Sequence, residues 1–173
     1  RWNALGRGRF HLGAELWRHG EKEAATPHLR AAVDLSRKAM NDEPADITIL
    51  QHAAWQRLFC PILAFREPEV ALKAARRLVE VTSEKVHNRK TQAGGIRPFM
   101  TLALAEYRNG DLTRAREAVE RSMTIRDGGD AYEWFVLSMI LARQGDVGGA
   151  RALYEKAVQW TKRYRYGDFE LHF

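Results

Sequence analysis

The sequence predicts an all-α chain built as a stack of helix-turn-helix hairpins. Three observations lead there. Two segments between Ile96 and Trp160 lie on each other at one fixed offset: Phe99 falls on Trp134, Leu102 on Leu137, Gly110-Asp111 on Gly145-Asp146, and Ala115 on Ala150. Apolar residues recur at three- and four-residue spacing along most of the chain. Gly-acid pairs at Gly20-Glu21, Gly110-Asp111 and Gly145-Asp146 punctuate the periodic stretches where a helix would stop and the next begin.

A first helix is expected over about residues 2–19, with Leu5, Leu12 and Leu16 near one face and Phe10 and Trp17 flanking it. Gly20-Glu21 makes the turn, and a second helix over about 21–40 carries Ala25, Leu29, Ala32 and Val33 as its stripe. Pro27 sits in its first turns, where the leading amides lack helical partners anyway. Asn41-Asp42-Glu43-Pro44 reads as a stop and restart, with Asp42 as N-cap and Pro44 in the first turn of a third helix over about 43–60. Trp55 and Leu58 form a large-x2-Leu pair there, and Pro61 ends the helix. Arg66-Glu67-Pro68 opens a fourth helix over about 68–86, with Ala71, Ala75 and Leu78 inward; this hairpin has no turn glycine. Residues 87–95 are the longest polar stretch and read as a loop. Pro98 lies in the first turn of a fifth helix over about 96–109, and a sixth follows over about 112–126. Gly128-Gly129-Asp130 separates the last two hairpins, with Asp130 capping a seventh helix over about 130–144 before an eighth over about 147–163.

The last hairpin shows what each position does. Trp134 and Leu137 share a face of its first helix. Gly145 accepts the left-handed turn that ends that helix, and Asp146 caps the next. Ala150 is small so that two helices approach closely, and Tyr154 and Ala157 continue a buried stripe. Such a hairpin cannot bury its apolar face alone, whereas stacked neighbours can.

Bulk properties narrow the function. The chain has 173 residues, 45% hydrophobic and 29% charged, a normal globular balance. No apolar run approaches the roughly 18–20 residues of a membrane span, and Arg1-Trp2-Asn3 leads into no apolar signal region. Cys60 is the only cysteine and is read as a packing residue, so a cytoplasmic setting is expected. The missing initiator Met reads as a piece of a longer protein. The six histidines (His11, His19, His28, His52, His87 and His172) form no metal-type pair around a glutamate. Gly6-x-Gly8 follows no strand, Asp168-Phe169-Glu170 stands without any other kinase element, and no Gly-x-Ser-x-Gly elbow occurs. The expectation is therefore no catalysis, no metal and no cofactor. The net charge of +6 invites nucleic acid. Yet Arg76-Arg77, Arg114, Arg116, Arg121 and Arg126 alternate with Glu80, Glu117 and Glu120, the pattern of a solvated helix face rather than a phosphate-binding stripe. Only Lys162-Arg163-Tyr164-Arg165-Tyr166 is dense in cations and rings.

Large residue, Leu, Gly and Ala at these spacings resemble the tetratricopeptide repeat (TPR). The resemblance implies a right-handed α-solenoid, here a single domain over residues 1–173 with repeats at about 6–40, 52–86, 96–129 and 131–164 and a tail over 165–173. Gly20, Ala25, Leu102, Gly110, Ala115, Trp134, Leu137, Gly145, Ala150, Tyr154 and Ala157 fall on its packing positions. The stretches from Ser122 to Asp130, Trp134-Phe135, Tyr154 to Trp160, Cys60-Pro61 and Arg66-Glu67-Pro68-x2-Ala71 are similar to a bacterial TPR type that often follows a Ser/Thr protein kinase domain, which implies a possible kinase upstream. In TPR arrays the first helix of each pair lines a concave groove. That places Phe10 and Trp17 of the first repeat there, with Arg97, Met100, Leu104, Tyr107 and Arg108 of the third and Tyr132, Phe135, Met139 and Arg143 of the fourth. Apolar anchors edged by arginine suit a protein or peptide partner that is acidic with apolar anchors of its own. The Lys and Asn of the family's carboxylate clamp are missing, so chaperone-tail binding is not expected. The main alternative is a scaffold: Trp2 and Leu5 at one end, and Leu153, Tyr154, Val158 and Trp160 at the other, leave uncapped apolar ends that could join copies into a homo-oligomer or filament. A nucleic-acid-binding array is the least favoured of the three.

Overall fold

The computed structural model describes residues 2–85 and 97–164. Among the described residues there are eight α-helices and no strand. They are α1 (Trp2–Arg18), α2 (Lys22–Asp42), α3 (Ile47–Phe59), α4 (Pro68–Lys85), α5 (Pro98–Arg108), α6 (Leu112–Ile125), α7 (Ala131–Arg143) and α8 (Val147–Arg163), with a short 3-10 turn at Leu63–Phe65. The expected loop over 87–95 and the tail over 165–173 lie outside the described residues. The chain divides into two compact units, Arg1–Thr101 and Leu102–Phe173.

Three turns are built alike. Gly20, Gly110 and Gly145 have φ of 85°, 86° and 89°, the left-handed conformation that only glycine adopts cheaply. The residue after each glycine donates its amide to a carbonyl five residues back: Glu21 to Leu16 at 2.9 Å, Asp111 to Glu106 at 3.1 Å, Asp146 to Leu141 at 3.0 Å. The last carbonyls of α1, α5 and α7 are thereby satisfied. Asp111 and Asp146 then cap α6 and α8, accepting from Arg114 N at 3.0 Å and Gly149 N at 2.9 Å.

In the first unit α1 packs along α2, α2 against α3, and α3 against α4. The contact between α1 and α2 differs from the leucine stripe expected. Leu5 and Leu12 are 50% and 47% exposed, while Gly6 and Gly13 are the buried residues of α1. A Cβ added at Gly13 would stand 2.7 Å from Leu29 Cγ. The helices meet where a side chain is missing, and the leucines are rotated outward. Phe10, Leu16 and Trp17 are half-buried beside this seam, against Ala25, Leu29 and Cys60.

The start of α3 also corrects the expectation. Asp42 is the last residue of α2, and Asp46 caps α3, its Oδ1 accepting from Ile49 N at 2.8 Å. The cause is Pro44. Its ring disfavours helical backbone in the preceding residue, and Glu43 sits at φ −134° and ψ 71°, outside the helix. Pro44 therefore lies in the link and not in the first turn of α3.

Arg57, on α3, is buried with its side chain 0% exposed. Its guanidinium donates to Glu67 Oε2 at 2.8 Å, Ser36 Oγ at 2.8 Å and Ala53 O at 3.1 Å. Arg37 also pairs with Glu67. Arg66 Nε donates to Cys60 O at 2.8 Å. These bonds tie the irregular stretch after Pro61 to α2 and α3, which accounts for a second hairpin that lacks a turn glycine.

In the second unit α7 packs against α6 and α8. Asp130 and Glu133 form a capping box at the start of α7, with Asp130 N donating to Glu133 Oε2 at 3.1 Å. Glu133 is fully buried and accepts from Ser122 Oγ at 3.0 Å, while Arg126 donates to Asp130 at 2.9 Å. Ala131, Trp134 and Ala157 form the core there, with Trp134 Nε1 donating to Gly128 O at 2.9 Å.

Candidate functional site

The expected groove residues separate into packed and open ones. Phe10 and Trp17 are half-buried against the Ala25–Leu29–Cys60 cluster, on which Ile62 and Phe65 of the stretch after Pro61 also pack. Met100 and Leu104 are buried, at 2% and 5% exposure, and serve packing. Arg97 is half-buried and Arg108 exposed. On α7, Tyr132, Phe135, Met139 and Arg143 follow each other at three, four and four residues, which sets them along one face. The first three are half-buried and Arg143 is exposed.

Two contacts fix this face. Arg143 lies in the last turn of α7, where a cation suits the negative end of the helix. Its guanidinium stands 4.9 Å from the centroid of the Tyr107 ring, and Nη1 donates to Tyr107 O at 3.2 Å. The charge of Arg143 is therefore held over the last turn of α5 while its outer edge stays in solvent. At the other end, the Phe135 ring meets the Tyr154 ring at 5.5 Å and 64°. Phe135 and Arg143 are eight residues apart, about 12 Å along the helix axis. The pairing of Arg143 with Tyr107 was not anticipated; the available signal was that both stand in the last turn of a first helix.

The packing positions divide as well. Ala25, Ala115 and Ala157 are 0% exposed, Trp134 is 7%, and Leu137 and Ala150 are both 8%. Leu102 is half-buried. Tyr154 differs from its expected place in a buried stripe, at 55% exposure. Four residues beyond Ala150, it is carried about 40° further round the helix, to the edge of the face that meets α7, where its ring touches Phe135 and the rest stays exposed.

No group of three or more His, Cys, Asp or Glu among the described residues is placed to hold a metal ion. Burial pushes the Cys60 thiol up, against a backbone bond and Arg66, which disfavours the reactive thiolate. No helix among the described residues is long and apolar enough to cross a membrane.

Compared with known families, residues 134–164 match the family model of the tetratricopeptide repeat. The match runs from Trp134 through α8 to Tyr164, the hairpin in which the sequence pattern is fullest. No curated protein matches the chain.

Proposed function

The chain carries a tetratricopeptide-repeat domain, and from that premise we propose that it is a non-catalytic interaction module which docks a protein or peptide on the α5–α7 face of its second unit. Repeats of this family generally mediate protein–protein interaction and are typically non-catalytic. The observation that carries the reading is the pairing on α7 of half-buried apolar side chains, Tyr132, Phe135 and Met139, with a cation already held in position. Large rings beside arginine are the usual composition of binding hot spots, and a thioether repacks around different ligands. Arg143 loses little freedom on binding because Tyr107 already orients it. The matching partner offers an apolar anchor for Phe135 and a carboxylate about 12 Å away for Arg143, two turns on if the segment is helical.

Selection of peptides from a displayed library against the parent chain, followed by calorimetric titration, tests this. The selected ligands should be enriched in acidic residues flanking apolar anchors. Phe135→Ala should weaken them by about 1–3 kcal/mol, as loss of an anchor does, and Arg143→Glu should do the same by reversing the charge. Ligands whose affinity ignores both substitutions bind elsewhere, and the reading falls.

A further inference from the structure

A second surface lies on α8. Val147 is 70% exposed and Tyr154 55%, and together with Arg151 and Val158 they recur at steps of four, three and four residues, one continuous seam along the helix. The seam is not the side by which α8 packs, since that side carries Ala150 and Ala157, at 8% and 0% exposure. Single exposed apolar residues are ordinary, but two on one seam with half-buried Val158, which continues through Tyr154 onto the Phe135 ring of α7, have the form of an interaction surface.

Charge selects the occupant. α8 carries Arg151, Lys156, Lys162 and Arg163 against the single carboxylate Glu155, which Arg151 already holds at 2.9 Å. Lys162 stands one turn beyond Val158, so Arg151 and Lys162 are the cations nearest the seam, one in its first half and one past its end, while Lys156 turns away over the Trp134 ring. A second copy would bring a net charge of +6 against this helix, and the first turn of α1, at its own exposed apolar end, has no acidic residue to offer. We infer that the α8 seam docks an acidic amphipathic helix from a protein partner, its apolar side on Val147, Tyr154 and Val158 and its carboxylates toward Arg151 and Lys162. This goes beyond the α5–α7 face: Tyr154 touches that face through Phe135, whereas Val147, Arg151 and Val158 stand apart from it on α8.

The test uses the full chain and three synthetic peptides, each as long as α8. One is helical with leucine on one face and glutamate on the rest, one replaces glutamate by lysine, and one scrambles the acidic peptide so that no apolar face remains. Fluorescence anisotropy should show binding of the acidic amphipathic peptide alone. Val147→Glu and Tyr154→Asp should each weaken it about tenfold or more, and Leu63→Asp, at a 72% exposed position of the first unit, should leave it unchanged. Both seam residues are exposed, and thermal melts check that the variants stay folded; if Tyr154→Asp melts early, Val147→Glu decides alone. The inference is overturned by failure of the acidic peptide to bind at high micromolar concentration, by equal binding of the scrambled or lysine peptide, or by equal sensitivity to Leu63→Asp. It is overturned as well if oligouridine binds through Val147 and Tyr154 while the acidic peptide does not, or if the parent dimerises in a way that Tyr154→Asp abolishes, which would make a second copy the occupant.

Discussion

Gly13 and Gly8 lie about 1.4 turns apart on α1, and their substitutions should have opposite signs. Alanine is worth up to about 1 kcal/mol over glycine in a helix interior. Gly8 has nothing within 4 Å of a built Cβ, so Gly8→Ala should raise the melting temperature. At Gly13 the same methyl meets Leu29 Cγ at 2.7 Å and Leu29 N at 3.1 Å, and Leu29 is fully buried. Overpacking of this kind costs about 1–3 kcal/mol, which exceeds the propensity gain; Gly13→Ala should therefore lower it, and chemical denaturation of the pair reads both signs. His52 supplies a prediction in pH. Its ring, 3.1 Å from Asn3 Oδ1, titrates below its ordinary 6.5, chiefly because burial removes water and further because Arg7 and His11 repel the charged form, with Asp46 opposing. The unfolded chain then takes up a proton that the folded chain resists. Stability should thus rise with pH through the window below 6.5 and fall on acidification. His52→Gln should flatten the melting profile between about pH 7 and about pH 5; an unchanged slope would remove His52 as its source.

Among the helices, the junctions carry more information than the interiors. The stripes of α2 and α4 and the Trp134–Leu137 face of α7 were legible from apolar spacing, and the glycine turns after α1, α5 and α7 from their φ requirement. Two features were not. Leu5, Leu12 and Leu16 mark a periodic face of α1, but periodicity does not say which face a neighbour takes: two glycines that allow close approach are buried, Leu16 is half-buried beside them, and Leu5 and Leu12 are exposed. Arg57 stands in the apolar run Ala53-Ala54-Trp55-Gln56-Arg57-Leu58-Phe59. A lone cation there was the only sequence sign of a buried ion pair, and its partner Glu67 lies beyond a proline in irregular chain. Glu67 also sits at φ 35°, a conformation a non-glycine side chain adopts at a cost. Removing one partner strands the other, so Glu67→Gln should destabilise by about 3 kcal/mol. Adding Arg57→Met to it should recover part of that loss, because the stranded buried charge is gone. A double variant less stable than Glu67→Gln alone, measured by denaturant unfolding, would show that the pair is not the main connection.

On the scale of the whole molecule, the repeat is most regular in the second unit, and the residues proposed for docking lie there. Counting along regular repeats assigns Tyr107, Tyr132, Phe135, Met139 and Arg143 to a groove, and each of them is half-buried or exposed. The same counting put Phe10 and Trp17 in the groove, whereas they lie half-buried against Ala25, Leu29 and Cys60, and it could not tell buried Met100 and Leu104 from their half-buried neighbours. Depth depends on what packs alongside, which spacing within one helix does not record. The four methionines offer a direct test of where a ligand sits. Met139 is half-buried on the proposed face, whereas Met100 is 2% exposed and Met40 lies on α2 of the first unit. With methionine methyl groups labelled with carbon-13, titration of a selected peptide should move the Met139 signal most, leave Met40 in place, and lose its effect in Phe135→Ala. A saturating ligand that shifts Met40 and leaves Met139 still would contradict docking on the α5–α7 face.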